Sequence, residues 1–216
     1  SGVISDGAND YDIEKTGSGI LILSGTNTFS GTTNINAGTL SITDGGGLGN
    51  SSTGTTVADG AMLKISGGIT VAEPITINGS GISSDGAIYF LSGNNTYSGA
   101  ITLGSNSTIT SDAGNQIISG TINGAYALEV TAAGNWTQSG IVGGSTAPTQ
   151  LTINAEDVTF SAAITTSGAI SVTGDDIYAG NNVDFNTSSA SNADIIFKGQ
   201  GYVAMETNVD FTTDGG

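Results

Sequence analysis

The sequence lacks cysteine and histidine, and its only cationic side chains in 216 residues are Lys15, Lys64 and Lys198. Without cysteine the chain forms no disulfide and has no thiol nucleophile. Without histidine its serines and threonines have no imidazole base to activate them. Three lysines without any arginine cannot neutralise a phosphate backbone or an anionic lipid surface. The composition therefore argues against nucleophilic catalysis, nucleic-acid binding and anionic-membrane binding.

Long apolar runs are also missing. No run of about 18 apolar residues and no basic-then-apolar leader occurs. The chain opens at Ser1 and stops at Asp214-Gly215-Gly216 in the middle of a recurring pattern. We therefore expect a piece of a longer protein whose targeting signals lie outside it.

What the chain does contain is glycine, small polar residues and regularly placed aliphatic residues. It has 35 Gly, is 37% hydrophobic and has a net charge of −16. A disordered chain would lack the regular apolar positions. The acidic charge favours solubility, and it would also attract divalent cations.

Short apolar-x-apolar units recur along the whole chain and predict short strands, because alternation puts the outer two side chains on one face. No window sustains helical spacing. The units are Leu21-x-Leu23, Leu40-x-Ile42, Leu63-x-Ile65, Ile75-x-Ile77, Ile88-x-Phe90, Ile101-x-Leu103, Leu128-x-Val130 and Leu151-x-Ile153.

One nine-residue motif, which we call the repeated phrase, occurs twice: LSGTNTFSG at 23–31 and LSGNNTYSG at 91–99, with seven of nine positions identical. The spacing of the two copies fits three coils of roughly 22–23 residues in a solenoid. An antiparallel sandwich has no reason to keep such a register, whereas a solenoid lays equivalent strands on one another.

A second periodicity, with a step of about 25 residues, occupies the C-terminal third. It relates Val158, Val183 and Val209, and also Ile170 to Ile195 and Ile177 to Val203. We predict that these units stack, and that the whole chain forms about nine or ten coils.

A soft boundary is expected near 140–150. It would divide the β-helix into repeat-type coils at 1–145 and a continuation at 146–216 whose coils have the longer step. Trp136, the sole tryptophan, is expected to fill the interior near this change.

Residues 16–42, TGSGILILSGTNTFSGTTNINAGTLSI, resemble the autotransporter-associated β-strand repeat, and residues 86–103 resemble a second, degenerate copy. The resemblance implies a right-handed parallel β-helix from the passenger region of a Gram-negative autotransporter or haemagglutinin-like adhesin. It also implies export through the outer membrane and attachment at the cell surface.

The residues of the repeated phrase are expected to build turns and an interior. In each copy a leucine would point inward, a glycine would take a turn conformation, an asparagine would satisfy backbone groups at a corner, and an aromatic ring would pack between coils. These residues are Leu23, Gly25, Asn27 and Phe29 in the first copy and Leu91, Gly93, Asn95 and Tyr97 in the second. A sugar-binding platform of aromatic rings and amides is the alternative.

Acidic residues provide the candidate metal ligands. If the C-terminal series stacks, Thr159, Asp184 and Asp210 lie above one another, and Asp184 with Asp210 could contribute to a Ca²⁺ site. Asp6, Asn9, Asp10 and Asp12 form a second acidic cluster. A solvated acidic surface is the simpler interpretation of both, so we expect no cofactor.

The favoured function is a non-catalytic stalk or scaffold of a surface adhesin. Its expected partners are the rest of the parent protein, sibling chains in end-to-end or edge contact, and host or surface glycans; nucleic acid is not among them. The alternatives are a carbohydrate-binding or polysaccharide-cleaving β-helix and a Ca²⁺-dependent adhesion module. Paired acids such as Asp175 and Asp176 meet the spacing for polysaccharide cleavage, but any acidic solenoid contains such pairs. Thr26-x-Thr28 would suit ice binding, but the second copy of the phrase has Asn94-x-Thr96 and breaks the series.

Overall fold

Parallel β-strands form almost all of the regular structure in the computed structural model of the chain, which describes residues 2–7, 9–187 and 193–213. Every strand pair in this part of the chain is parallel, and the described helical structure is a single 3-10 turn at Ile82–Ser84. Parallel neighbours need a connection that returns the chain to the same end of the sheet. Here the connections are themselves strands, so the chain winds as a solenoid.

The strands form three faces. Face A contains Ile13–Lys15 (β1), Thr33–Ile35 (β3), Thr55–Val57 (β5), Ile75–Gly79 (β8), the start of Ile101–Ser111 (β11), Ile122–Asn123 (β13), Ile164–Thr166 (β18), Phe185–Thr187 (β21) and Phe211–Thr213 (β24). Face B contains Ile20–Leu23 (β2), Gly38–Ile42 (β4), Ala61–Ser66 (β6), Ile88–Ser92 (β9), the end of β11, Ala127–Ala132 (β14), Gln150–Asn154 (β16), Ile170–Gly174 (β19) and Ile195–Gly199 (β22). Face C contains Thr70–Val71 (β7), Thr96–Tyr97 (β10), Gln116–Ile118 (β12), Trp136–Gln138 (β15), Asp157–Phe160 (β17), Asp176–Ala179 (β20) and Val203–Met205 (β23).

Each turn of the chain visits face A, then face B, then face C. On face B, the strands from β2 to β22 follow one another through nine turns, and β24 begins another turn on face A. With parallel strands about 4.8 Å apart, the stack is about 40 Å long. The prediction of an all-β parallel solenoid of about nine or ten coils is confirmed.

The interior is filled by columns of aliphatic side chains, one from each turn. On face B, Leu40 pairs with Leu63 and Leu63 with Ile88, and the column continues through Ile109 to Val130. All five are at most 1% exposed. Because alternate residues of a strand point to opposite faces, the apolar-x-apolar units place their outer residues in this core.

The repeated phrase recurs after an integer number of turns. Thr33, which follows the first copy, pairs with Thr55, Thr55 pairs with Ile75, and Ile75 pairs with Ile101, which follows the second copy. The two copies are therefore three turns apart, as their spacing in the sequence predicts.

The C-terminal register differs from the prediction in one of its steps. Ile170 pairs with Ile195, and Ile177 with Val203, as predicted. Val158 pairs with Ile177 and not with Val183, so the predicted stacking of Val158 on Val183 is wrong. Turn length therefore varies within the C-terminal third, because each turn needs its three strands in register while its corners can gain or lose residues.

Faces B and C run without interruption through the region where a boundary was expected. Strand β14 pairs with β16, and β15 pairs with β17. On face A, Val142 keeps the ladder through single bridges to Ile122 and Ile164.

Glycines form a column at the corner between faces C and A. A Cβ on Gly99 would lie 2.1 Å from the carbonyl oxygen of Glu73, one on Gly120 would lie 1.8 Å from that of Gly99, and one on Gly140 would lie 1.9 Å from that of Gly120. Each is preceded by a serine, and serine and glycine N–H groups donate together to one carbonyl of the previous turn, as Ser119 and Gly120 do to Tyr97. A side chain at any of these three glycines would therefore overlap the backbone of the turn before it.

We predict that Gly120→Ala lowers the free energy of unfolding by about 1–3 kcal/mol, because the new methyl group would overlap backbone that cannot move without breaking the stack. Chemical denaturation measures the loss. Gly19→Ala is the control, since a Cβ on Gly19 would meet nothing within 4 Å. Equal stability of the two variants would contradict the steric account of the corner.

Candidate functional site

The asparagines of the repeated phrase lie buried at the beginning of face C, 4% exposed at Asn27 and fully buried at Asn95. Asn27 accepts a hydrogen bond at Oδ1 from the Ile4 N–H at 2.9 Å and donates through Nδ2 to the Gly47 carbonyl at 2.7 Å. Each partner lies in a neighbouring turn. The amide therefore joins three successive layers of backbone.

Asn95 occupies the equivalent position in a denser network. Its Oδ1 accepts from the N–H groups of Gly68 at 3.0 Å and Ile69 at 3.1 Å, in the preceding turn. Its Nδ2 donates to the carbonyls of Ser92 and Gly93 and to Gln116 Oε1 at 3.1 Å, in the following turn. A buried amide is stable only when its donors and acceptor are satisfied, and here all of them are.

The aromatic residues of the phrase both point into the interior, where Phe29 is 1% exposed and Tyr97 is fully buried. The Tyr97 hydroxyl donates to the Glu73 carbonyl at 2.7 Å. Burial raises the pKa of Tyr97 well above its usual value, so the phenol stays protonated as a donor. Neither ring is available at the surface for a sugar to stack on, which argues against the platform alternative at these residues.

The two leucines of the phrase are not equivalent. Leu23 is 7% exposed and pairs with Ile42, whose column continues to Ile65 and Phe90. A shift of register between Phe90 and Ser92 leaves Leu91 out of the ladder and 39% exposed. The expectation that Leu91 points inward is wrong, because Phe90 takes the inward position.

The glycines of the phrase also differ. Gly93 has a φ of 85°, which a side chain would disfavour, and a Cβ there would lie 2.5 Å from the Gly68 nitrogen. Gly25 is half-buried and is not among the described glycines with positive φ. The positive-φ turn conformation that was expected at both glycines is therefore present at Gly93 and not at Gly25.

A family model described as the passenger-associated-transport-repeat matches residues 13–42 and 88–108. These two segments are similar to that repeat. The first match spans β1 to β4, and the second begins at β9 and ends within β11. The prediction of an autotransporter-type repeat is confirmed, and each repeat includes one buried asparagine and one buried ring of face C. No curated protein and no solved structure matches the chain.

The predicted stack of Thr159, Asp184 and Asp210 is present only in its two acidic members. Phe185 pairs with Phe211, so Asp184 and Asp210 precede equivalent positions of neighbouring strands, but Thr159 lies on face C opposite Tyr178. Ile164 and Phe185 donate their N–H groups to the backbone carbonyls of Asp184 and Asp210. Among the described residues, no three acidic side chains are grouped closely enough to hold a metal ion. The expected stacking of Thr159 on Asp184 is therefore wrong.

The N-terminal acidic cluster binds the first passenger repeat instead. Asp6 Oδ2 lies 2.8 Å from the Ser30 nitrogen, and Asp10 Oδ1 lies 2.8 Å from the Ser30 hydroxyl oxygen. Asp12 Oδ1 accepts from the Thr32 N–H at 2.7 Å. Hydrogen bonds from Ser30, its N–H foremost, and from the Tyr11 N–H lower the pKa of Asp6. The carboxylates thus hold the segment before β1 against Ser30 and Thr32 of the repeat.

Sequence reasoning assigned no role to Lys15, although it belongs to the first repeat. It pairs with Ile35 in an inward column and is only 6% exposed. Its ammonium group donates to the carbonyls of Thr16, Gly17 and Ala37 at 2.6–2.9 Å. The charge is thereby satisfied by carbonyl groups where the chain passes from face A to face B.

Sequence reasoning also missed Glu73, which stands in the corner column that Gly99, Gly120 and Gly140 continue. Glu73 is 3% exposed, and neither of its carboxylate oxygens makes a well-formed hydrogen bond to the described residues. Burial raises the pKa of Glu73 to about 7, although the nearby Gly54 N–H and Thr55 hydroxyl lower it. The sequence signal that could have identified Glu73 is an acidic residue at the position where later turns have the glycine of a Ser-Gly pair.

Described helices include none with the length and apolar character needed to cross a membrane. Trp136, which was expected to fill the interior, is fully buried on β15 between Gln116 and Val158. Its indole nitrogen makes no hydrogen bond to the described residues. The ring therefore contributes through packing.

Replacing Asn95 by alanine is predicted to cost about 2–4 kcal/mol of unfolding free energy, because it leaves the Gly68 and Ile69 N–H groups without this acceptor and the buried Gln116 amide without this donor. Asn27→Ala should cost less, since its amide makes two of these bonds and lies nearer the end of the stack. Thermal and denaturant melts give both values. The exposed Asn50→Ala is the control, and an Asn95→Ala variant as stable as this control would contradict the bridging role.

Replacing Glu73 by glutamine should stabilise the protein at pH 8 and have little effect near pH 4.5. The folded pKa of about 7 exceeds the ordinary value of 4.5, so this carboxyl's favourable contribution is complete below pH 4.5 and is lost as pH rises through about 7. The expected gain at pH 8 is about 2 kcal/mol.

Denaturation of Glu73→Gln and the native chain at several pH values measures this difference. The matched control is Glu156→Gln, at an exposed acid. A stability difference for Glu73→Gln that does not change with pH would show that Glu73 is not a buried titrating group.

Proposed function

We propose that this chain is a rigid, non-catalytic spacer in the passenger of an autotransporter, displayed on the outer surface of a Gram-negative bacterium. The observation that supports this most is the combination of passenger repeats with an unbroken stack of parallel turns. Such a stack resists bending because each turn is bonded to both neighbours along its faces. A stack of about 40 Å holds whatever it carries at a fixed distance.

Surface display is supported by the family and by the construction of the turns. Each turn contacts only the turns next to it, so folding can begin at one turn and propagate along the stack. A chain without cysteine needs no oxidation step to complete this process. Both features suit a protein that folds after it has crossed a membrane in extended form.

The spacer role predicts that whole turns can be removed. Deleting residues 33–100 joins Thr32 to Ile101, which occupies the ladder position of Thr33 three turns later. The shortened chain should unfold cooperatively, and small-angle scattering should give a rod shorter by about 14 Å. Deleting residues 33–90 is the matched control, since it removes a non-integer number of turns and should abolish the cooperative transition.

Two outcomes would contradict the proposal. A compact globule in scattering would exclude a rod, and a 33–100 deletion that fails to fold would exclude interchangeable turns. Display is checked separately on cells that express the natural gene, by antibody labelling and protease treatment of intact cells. Labelling that requires permeabilised cells would contradict display at the surface.

A further inference from the structure

Two excursions of the chain leave the ladder near the corner between faces A and B. Residues 80–87 leave turn four between β8 and β9, and their Asp85 carbonyl accepts a hydrogen bond from the Thr110 hydroxyl on face B of turn five. Residues 143–149 leave turn seven. They are anchored on turn six, where Gly124 donates to the Thr146 carbonyl at 3.0 Å and Ser145 donates to Asn123 Oδ1 at 2.9 Å.

A groove with a volume of about 400 Å³, which we name the A–B groove, extends from Ser80 of the first excursion to Gln150, which follows the second. Small-molecule sites typically have volumes of ~300–1,000 Å³. Its polar lining residues are, from turn four to turn seven, Ser80, Asn106, Ser107, Thr108, Glu129, Gln150 and Thr152. Most of the lining side chains thus carry hydrogen-bonding groups, which suits a ligand rich in hydroxyl groups.

The floor of the groove is a ladder of outward side chains. Thr108 pairs with Glu129, and Glu129 pairs with Thr152, so three polar groups follow one another at about 4.8 Å intervals along the stack. The Asn106 amide oxygen is already used by the Ala127 N–H at 3.0 Å, which turns this side chain into a fixed part of the wall. Regularly spaced donors and acceptors match the regularly spaced hydroxyls of a linear oligosaccharide.

Charge narrows the class of ligand. The lining contains one carboxylate, on Glu129, and neither lysine nor arginine is among its described residues. The whole chain has a net charge of −16. Sulfated, phosphorylated or uronic-acid polymers would therefore be repelled, whereas a carboxylate accepts strong hydrogen bonds from neutral hydroxyls.

We propose that the A–B groove binds a neutral, linear oligosaccharide across turns five to seven, with Glu129 as its central hydrogen-bond acceptor. This inference goes beyond the spacer role and does not depend on it. A rigid rod that carries a weak glycan site could contact a polysaccharide surface along its side as well as hold a distal element away from the cell.

The test is titration of the purified chain with cellotriose, maltotriose and triacetylchitotriose, followed by saturation-transfer NMR and chemical-shift mapping. At least one of these should bind at millimolar concentration and shift the amides of turns five to seven. Glu129→Ala should weaken that binding at least about tenfold, since hydrogen bonds to charged groups contribute ~1.5–3 kcal/mol. Thr131→Ala is the matched control, because Thr131 is exposed on the same strand, β14, outside the groove.

Three results would overturn the proposal: no binding of any of these sugars, binding that Glu129→Ala leaves unchanged, or equal binding of trigalacturonic acid. Both variants can be examined as folded protein, because Glu129 and Thr131 are exposed and contribute no core packing. Melting curves of the two variants should match that of the native chain. Failure of this test leaves the rod dimension and the deletion experiment unaffected.

Discussion

Close approach of backbone to backbone at the corner between faces C and A is the constraint on which the remaining structure depends. Parallel turns bond to one another only if each lies about 4.8 Å from the next along its whole path, including its corners. Strands meet this condition easily, whereas at some corner positions a side chain would overlap the backbone of the turn before it. Gly99, Gly120 and Gly140 remove that side chain, and the Ser-Gly N–H groups bond to the turn before.

The same condition explains why the interior tolerates polar groups. A buried amide such as Asn95 or Gln116 bridges turns whose backbone groups would otherwise be unpaired at the corner, so its desolvation is compensated by several bonds. Lys15 does this with carbonyl groups at another corner. Glu73 lacks such partners, which is why its ionised form is the less stable one. Buried polar residues therefore stabilise this solenoid where their side chains form hydrogen bonds between turns.

Outward positions are free of these constraints, and the surface is where this rod can differ from other rods of the same repeat. The face B ladder changes from Lys64 and Tyr89 to Thr110 and Thr131 without disturbing the core. Excursions at 80–87 and 143–149 leave the stack intact because neighbouring strands remain paired on both sides. A binding function is therefore most easily accommodated between excursions, while the repeats supply stiffness and length.

Sequence reasoning was sufficient for the parallel solenoid, its approximate number of turns and the three-turn spacing of the repeated phrase. The strands follow from period-2 alternation, which is a local signal. The solenoid and its spacing follow from motifs that recur in register after three turns. The sequence also indicated that Asn27 and Asn95 satisfy backbone groups at a corner and that Phe29 and Tyr97 pack against a neighbouring turn, because these residues recur in both copies of the repeated phrase.

Strand pairing where the turn length changes depended on the folded chain, since the turn from Leu151 to Ile170 is shorter than the turn from Ile75 to Ile101. Extra residues are accommodated at the corners, and no local sequence pattern shows how many residues a given corner contains. For this reason Leu91 left the core and Thr159 stacked on Tyr178. The A–B groove likewise depends on side chains that are a whole turn apart in the sequence, which meet because successive turns lie one hydrogen bond from each other.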